Sequence, residues 1–213
     1  MRILGLTGSI GMGKTVAGRI FRRLGIPVHD ADREVHALTR LGGRAVPAIA
    51  GAFPGTVTKG VLDRKALGAR VFADTSQLQR LEAILHPLVR ASQRRFIAAN
   101  RRKKLVVLDI PLLFEKGNER RCHAVLVVTA SKAIQRQRVM RRPGMTAAKM
   151  ANILAHQMPD REKRRRADFV VPTGIGFRPT LRRIRIIAKH LGEGHWPRRR
   201  HARNRARHGN HGA

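Results

Sequence analysis

Residues 8–15 read Gly8-Ser9-Ile10-Gly11-Met12-Gly13-Lys14-Thr15, which satisfies G-x-x-x-x-G-K-[ST] in full. The spacing has a chemical reason. Glycines let the backbone wrap a phosphate with successive N–H groups turned inward, at the positive end of the helix that follows. Gly8, Gly11, Met12, Gly13, Lys14, Thr15 and Val16 are the candidate nucleotide contacts. Lys14 reaches the terminal phosphates and the Thr15 hydroxyl holds magnesium.

Acids are scarce, with 13 Asp and Glu against 45 Lys and Arg, so each is worth placing. Asp30 and Asp32 follow a short apolar run, where an acid can accept a proton from an attacking hydroxyl or orient it. Asp30 reads as a helix cap and Asp32 as the chemical group. Asp109 closes Lys104–Asp109, the pattern in which an acid touches magnesium directly or through water. Glu115 either binds a ligand hydroxyl or sits on the surface. Asp63 and Asp74 read as helix caps, and Asp160, Glu162 and Glu193 as surface charge.

Arg138 and Arg142 stand four apart and share a helical face, so they can clamp ATP phosphates, with Pro143-Gly144 as a hinge. The alternative is a solvated basic face, and for Arg142 the two readings stand level. The run 161–166 reads as solvated. His36 and His86 lack metal-ligand spacing and read as core or surface histidines.

These groups need elements to hold them. Continuous apolar runs at Arg2–Thr7, Ile26–His29, Lys104–Asp109, Ala124–Thr129 and Asp168–Val171 predict five strands. Helical spacing falls between them, at Lys14–Leu24, Lys132–Arg141, Met145–Gln157 and Thr180–Leu191. Strand–helix alternation predicts an α/β fold, a parallel sheet covered on both faces. The mostly helical stretch 33–102 exceeds one crossover and reads as an inserted subdomain. Its clearest helix starts at Thr75 and is expected to break or kink at His86-Pro87.

The 213 residues fit one domain with insertions, and a 42% hydrophobic content supports a core. A net charge of +32 points to anionic partners: nucleic acid, membrane or phosphorylated small molecules. From residue 192 the composition turns to Arg, His, Asn, Gly and Ala, which predicts a disordered basic tail over 192–213 that can bind polyanions non-specifically. Cys122 is the single cysteine, which removes an intramolecular disulfide and suits a reducing compartment. With neither a secretory leader nor an apolar run of spanning length, a cytoplasmic chain is expected.

Taken together the motifs resemble the dephospho-CoA kinase family. The matching segments are Leu6–Thr15, Leu24–Val28 leading to Asp30-Ala31-Asp32, Leu85–Leu88, Asp109–Glu115, Val125–Val128, Gln135–Arg138, Gln157–Pro159, Glu162-Lys163 and Ala167–Val170, in the family's order. The resemblance implies a three-layer P-loop NTPase fold with a five-stranded parallel sheet. The core would occupy about 1–32, 103–135 and 167–191, a helical CoA-binding insertion about 33–102 and a helical lid about 136–166. It implies ATP and Mg²⁺ as cofactors and phosphorylation of the 3′-hydroxyl of dephospho-CoA, giving CoA and ADP. Asp32 matches the base, Arg138 the arginine over the phosphates, and His86 lies in the segment that would bind the acceptor. Pro172-Thr173 departs from the Asp-Asn that the family often has after the last strand. Two other readings compete: a kinase for another metabolite such as a nucleoside monophosphate, and an ATP-dependent nucleic-acid-binding protein. Aromatic residues at 4%, with no Tyr, argue against the latter.

Overall fold

The structure is a computed structural model, which describes residues 1–197. The chain divides into two bodies: Met1–Val28 with the described chain from Arg102 onward, and His29–Arg101.

Five strands, β1 (Arg2–Thr7), β2 (Val28–Asp30), β5 (Leu105–Asp109), β6 (Ala124–Thr129) and β7 (Phe169–Pro172), form one sheet in the order β2-β5-β1-β6-β7, and all but the last two residues of β2 belong to the first body. β1 pairs in parallel with β5 and β6, and β6 with β7. Side chains alternate between two cores. Leu4, Leu6, Leu105, Val107, Leu126 and Val128 pack on one face, with Ile20 and Phe21 of α1 (Lys14–Arg23) and Ile184 and Leu191 of α9 (Phe177–Gly192). Val125 and Val127 face the other side, with Leu113, Phe114 and Cys122. Burial on both faces is why these strands read as unbroken apolar runs. Each fully buried side chain such as Phe21 contributes about 1.5–3 kcal/mol.

Between β6 and β7 lie α6 (Lys132–Met140), α7 (Ala147–Ala155) and α8 (Asp160–Arg166). The run 161–166 is thus helical rather than a plain solvated stretch. Lys163 is completely buried, while Arg164, Arg165 and Arg166 stay exposed. Acids in its first turn and bases in its last agree with the helix dipole.

The second body contains α2 (Ala31–Leu38), α3 (Val46–Ala52), a hairpin of β3 (Val57–Thr58) and β4 (Val61–Leu62), α4 (Arg64–Ala73) and α5 (Thr75–Ala99). It has its own core of Leu38, Ile49, Phe53, Leu62, Leu67 and Val71, against which Leu85, Leu88 and Val89 of α5 pack. Asp63 and Asp74 cap α4 and α5, as their positions suggested.

Three further features of the fold depart from the sequence reading. α5 runs unbroken through Pro87: proline removes one hydrogen bond, and the helix is held on both sides of it by packing. The hairpin has no sequence signal of its own, because its strands are two residues each and its turn is Lys59-Gly60, with φ of 50° and 76°, rather than Asn-Gly. The tail does not begin at 192. α9 extends to Gly192, and Trp196 packs against the first core, donates from Nε1 to Leu191 O at 2.9 Å and lies under the Arg2 guanidinium at 5.5 Å. The remainder of the expected tail, 198–213, lies outside the described residues.

Candidate active site

The loop 8–13 joins β1 to α1, and three consecutive carbonyls, at 10–12, are bonded from outside it. Ile10 O accepts from Gln135 Nε2 at 2.8 Å, Gly11 O from Arg138 Nη1 at 3.4 Å, and Met12 O from Thr173 Oγ1 at 2.9 Å. With these carbonyls satisfied from outside, the loop can present backbone amides to an anion. At two positions a positive φ and a close neighbour together require glycine. Gly11 (φ 77°) would place a Cβ 2.7 Å from Val139 Cγ2, and Gly13 (φ 88°) one 2.7 Å from Thr173 Oγ1. α6 and the segment after β7 therefore press directly against the loop.

Lys14 Nζ lies 2.7 Å from Asp109 Oδ1, and the Asp109 side chain is 2% exposed. β1–β5 register sets Asp109 opposite Leu6, so the carboxylate stands beside the strand that feeds the loop. Thr7 Oγ1 donates to Pro111 O at 2.9 Å, tying β1 to the segment after β5. Thr15 and Val16 are exposed in the first turn of α1.

Arg138 makes a fork around Thr173: Nη1 donates to Oγ1 and Nη2 to the carbonyl oxygen, both at 2.9 Å. Arg142 stands exposed beyond the end of α6, and the structure does not bring it to the loop contacts that Arg138 makes. Beside this fork Gly13, Val16, Arg138, Thr173, Phe177 and Thr180 line a cavity of about 200 Å³.

Glu115 does not sit free on the surface, the second of its two expected positions. Its Oε1 accepts from Met158 N at 2.8 Å and pairs with the buried Lys163 Nζ at 2.9 Å. Asp160 is likewise more than surface charge, because its Oδ2 accepts from Thr129 Oγ1 at 2.8 Å at the end of β6. Glu162 does stay near the surface, where Arg165 and Arg166 hold its carboxyl down at about 2. In the second body, Asp30 caps α2 by accepting from Arg33 N at 3.1 Å. Asp32 is exposed in the first turn of α2, and His86 is exposed on α5.

Sequence reasoning did not assign Gln135, Gln157, Thr173 or Lys163 to the site. Gln135, Gln157 and Lys163 stood inside the segments that carried the family resemblance, which was the available signal.

Among the described residues no group of three His, Cys, Asp or Glu side chains comes together. Thr15 and Asp109 are hard oxygen donors on adjacent elements, and Lys14 is sequence-adjacent to one and 2.7 Å from the other. Two protein oxygens completed by phosphates and water fit Mg²⁺, which keeps several waters.

The sheet order and the glycine loop between its central strand and α1 define an α/β protein of the P-loop kinase type. A crystal structure of a Thermus thermophilus protein superimposes with a TM-score of 0.75 at 38% identity, covering 88% of this chain and 97% of that one. The dephospho-CoA kinase of Campylobacter jejuni shares the fold, with a TM-score of 0.64 at 22% identity over 91% of this chain and 98% of that one. This chain belongs to the dephospho-CoA kinase family, whose model matches residues 2–175. It is 58% identical over 187 residues to a dephospho-CoA kinase of Rhodospirillum rubrum, covering 86% of this chain and 88% of that one. It is 60% identical over 166 residues to one from Paramagnetospirillum magneticum, covering 77% and 78%.

Proposed function

We propose that this chain transfers the γ-phosphoryl group of ATP to the 3′-hydroxyl of dephospho-CoA, giving CoA and ADP as the last step of coenzyme A synthesis. Family membership together with the Lys14–Asp109 pair at the glycine loop carries the reading.

Phosphoryl transfer needs positioning and charge stabilisation more than covalent chemistry. The loop amides and Lys14 hold the ATP phosphates. Arg138, already beside Gly11 and Thr173, turns its guanidinium to the same phosphates. Thr15 and Asp109 would hold Mg²⁺, which would supply positive charge to the phosphates when bound. With Lys14 on the phosphates, the Asp109 carboxylate would be free for that role. The cavity of about 200 Å³ beside Gly13 and Phe177 takes the base of ATP, with Thr173 replacing the polar pair that the family often has there. Asp32 accepts the proton of the attacking 3′-hydroxyl. His29–Arg101, including His86, supplies the acceptor-binding body, and α6–α8 supply the lid. Glu115 acts by anchoring Lys163 and Met158 at the base of α8 rather than by touching the acceptor. No helix among the described residues is long and apolar enough to cross a membrane, and we place the enzyme in the cytoplasm, in keeping with a role in coenzyme A synthesis.

The test is ADP release with dephospho-CoA, a panel of nucleoside monophosphates, or RNA as acceptor. Turnover is expected with dephospho-CoA alone and is expected to be lost in Lys14→Ala and Asp32→Asn. Equal rates with a nucleoside monophosphate would overturn the assignment.

A further inference from the structure

Ile10, in the middle of the glycine loop, has both of its backbone polar groups held by glutamine side chains. Gln135 Nε2 donates to Ile10 O at 2.8 Å, and Ile10 N donates to Gln157 Oε1 at 3.1 Å. The two groups lie in the peptides on either side of the Ile10 Cα, so holding both fixes the φ and ψ of that residue. Gly11, immediately after it, already takes a φ of 77°.

The two glutamines bracket one segment of chain. Gln135 is buried on α6, the helix that leads into it, and Gln157 stands two residues past α7, the helix that leads out. Gln157 N donates to Leu154 O at 3.1 Å, so its backbone is fastened to the last turn of α7. The next residue, Met158, donates its N–H to Glu115, and Lys163 one helix later pairs with the same carboxylate. α8 is thereby pinned to the segment after β5, whereas α7 has no buried residue and follows a connection that exposes Arg141 and Arg142. α7 is thus a thinly packed helix hung between two side chains that share one residue of the phosphate loop. Thin packing places it among the parts of a fold that open at low cost.

We propose that Gln135 and Gln157 are positioning residues that tie both ends of the α6–α7 segment to Ile10, so that filling the phosphate loop and ordering α7 become one linked event. The inference rests on the reading that ATP and ADP bind at the glycine loop. Phosphates drawn into the loop fix the conformation of residues 10–13. Gln135 and Gln157 pass that constraint to the two ends of the segment, which lowers the cost of closing it over the nucleotide. The coupling works in both directions, since linkage between two sites is reciprocal. Neither glutamine needs to touch the phosphates.

The test combines hydrogen exchange over 141–156, thermal melting and steady-state kinetics on the full chain, with ADP as the probe. In the wild type, ADP is expected to raise the melting temperature and to slow exchange across α7 by about threefold or more, as ordering of a weakly packed segment would. Gln157→Met keeps the length of the side chain and removes the acceptor. It is expected to keep an ADP-induced rise in melting temperature while the exchange effect falls below about 1.5-fold, and to lower kcat by a larger factor than it raises the KM for ATP. Gln157→Glu restores an acceptor oxygen and is expected to recover the exchange effect. Gln135→Met, which removes the donor, is expected to behave as Gln157→Met does. An ADP effect on α7 of wild-type size in both Met variants overturns the proposal, as does the absence of that effect in a wild type that ADP stabilises. If ADP neither stabilises the wild type nor protects its loop, the nucleotide reading fails first.

Discussion

Lys14 Nζ and Asp109 Oδ1 stand 2.7 Å apart, one on the loop-to-helix junction after β1 and the other at the end of the neighbouring strand β5. In a chain of net charge +32, a carboxylate that is 2% exposed is there for a local reason. In the proposed mechanism Lys14 leaves this pair for phosphate and the Asp109 carboxylate turns to the metal. Asp109→Asn should lower kcat by about 10- to 100-fold and weaken the dependence of rate on Mg²⁺ concentration. Lys14→Ala should cost more in activity, about a thousandfold, because the phosphates lose their charge partner as well. A magnesium titration of the two variants checks this, and an unaltered Mg²⁺ dependence in Asp109→Asn would exclude the metal role.

Thr173 links three parts of the site: its hydroxyl donates to Met12 O and accepts from Arg138, while its N–H donates to Thr129 O at 2.8 Å. Thr173→Val keeps the shape and removes the hydroxyl. Met12 O and an Arg138 N–H each lose a partner, a loss of about 1–3 kcal/mol in stability. The KM for ATP should rise severalfold, because the cavity wall and the loop carbonyl both relax. Thr173→Ser, which restores the hydroxyl, should recover most of the affinity. Kinetics of the two variants at equal folded concentration decide between a bonding role and a packing role.

What could be read in advance follows from range. Gly8–Thr15 is a contiguous pattern, and β1, β5 and β6 announce themselves because burial on both faces leaves no polar position to confuse the period. Thr173 and Gln157 could not be assigned roles that way, since their partners Met12 and Ile10 are more than a hundred residues distant along the chain. Lys163 is hidden for a related reason. In a six-residue basic run nothing local marks the one side chain that turns inward, and only Glu115, far upstream, explains its burial. Pro87 shows the converse, a strong local signal overridden by the packing of α5 on its own body's core.

Trp196 fastens the C-terminal end of the described chain to the first core. Besides its bond to Leu191 O, the ring meets His123 edge-on at 6.0 Å and lies beneath Arg2, a cation–π contact of about 0.5–1 kcal/mol. Deleting 198–213 should leave the melting temperature and kcat as they are while reducing retention on RNA at low salt, because Arg198, Arg199, Arg200, Arg203, Arg205 and Arg207 go with it. Deleting 192–213 removes Trp196 as well and should lower the melting temperature by about 5 °C or more. Equal melting temperatures for the two truncations would show that Trp196 adds nothing to the core.

His29 gives the second body a pH response. Its ring is buried, its Nδ1 has no hydrogen-bond partner, its Nε2 lies 3.4 Å from Ser92 Oγ, and Phe96 packs at 5.4 Å between ring centroids. Burial pushes the imidazole below its ordinary 6.5, against the opposing pull of the Glu34 and Asp30 carboxylates. The unfolded chain therefore takes up this proton at a higher pH than the folded chain does. Between the two values the unfolded state holds more protons, so stability rises with pH across that window and is complete above about 6.5. On acidification, stability falls once the pH drops below about 6.5, with a slope that cannot exceed about 1.4 kcal/mol per pH unit for one group. His29→Leu removes the titration and keeps an apolar contact for Phe96. Urea unfolding of both proteins from pH 7.5 to 5 measures the difference directly. The variant should lose less stability over that range than the wild type, and parallel curves would mean that His29 does not carry the response.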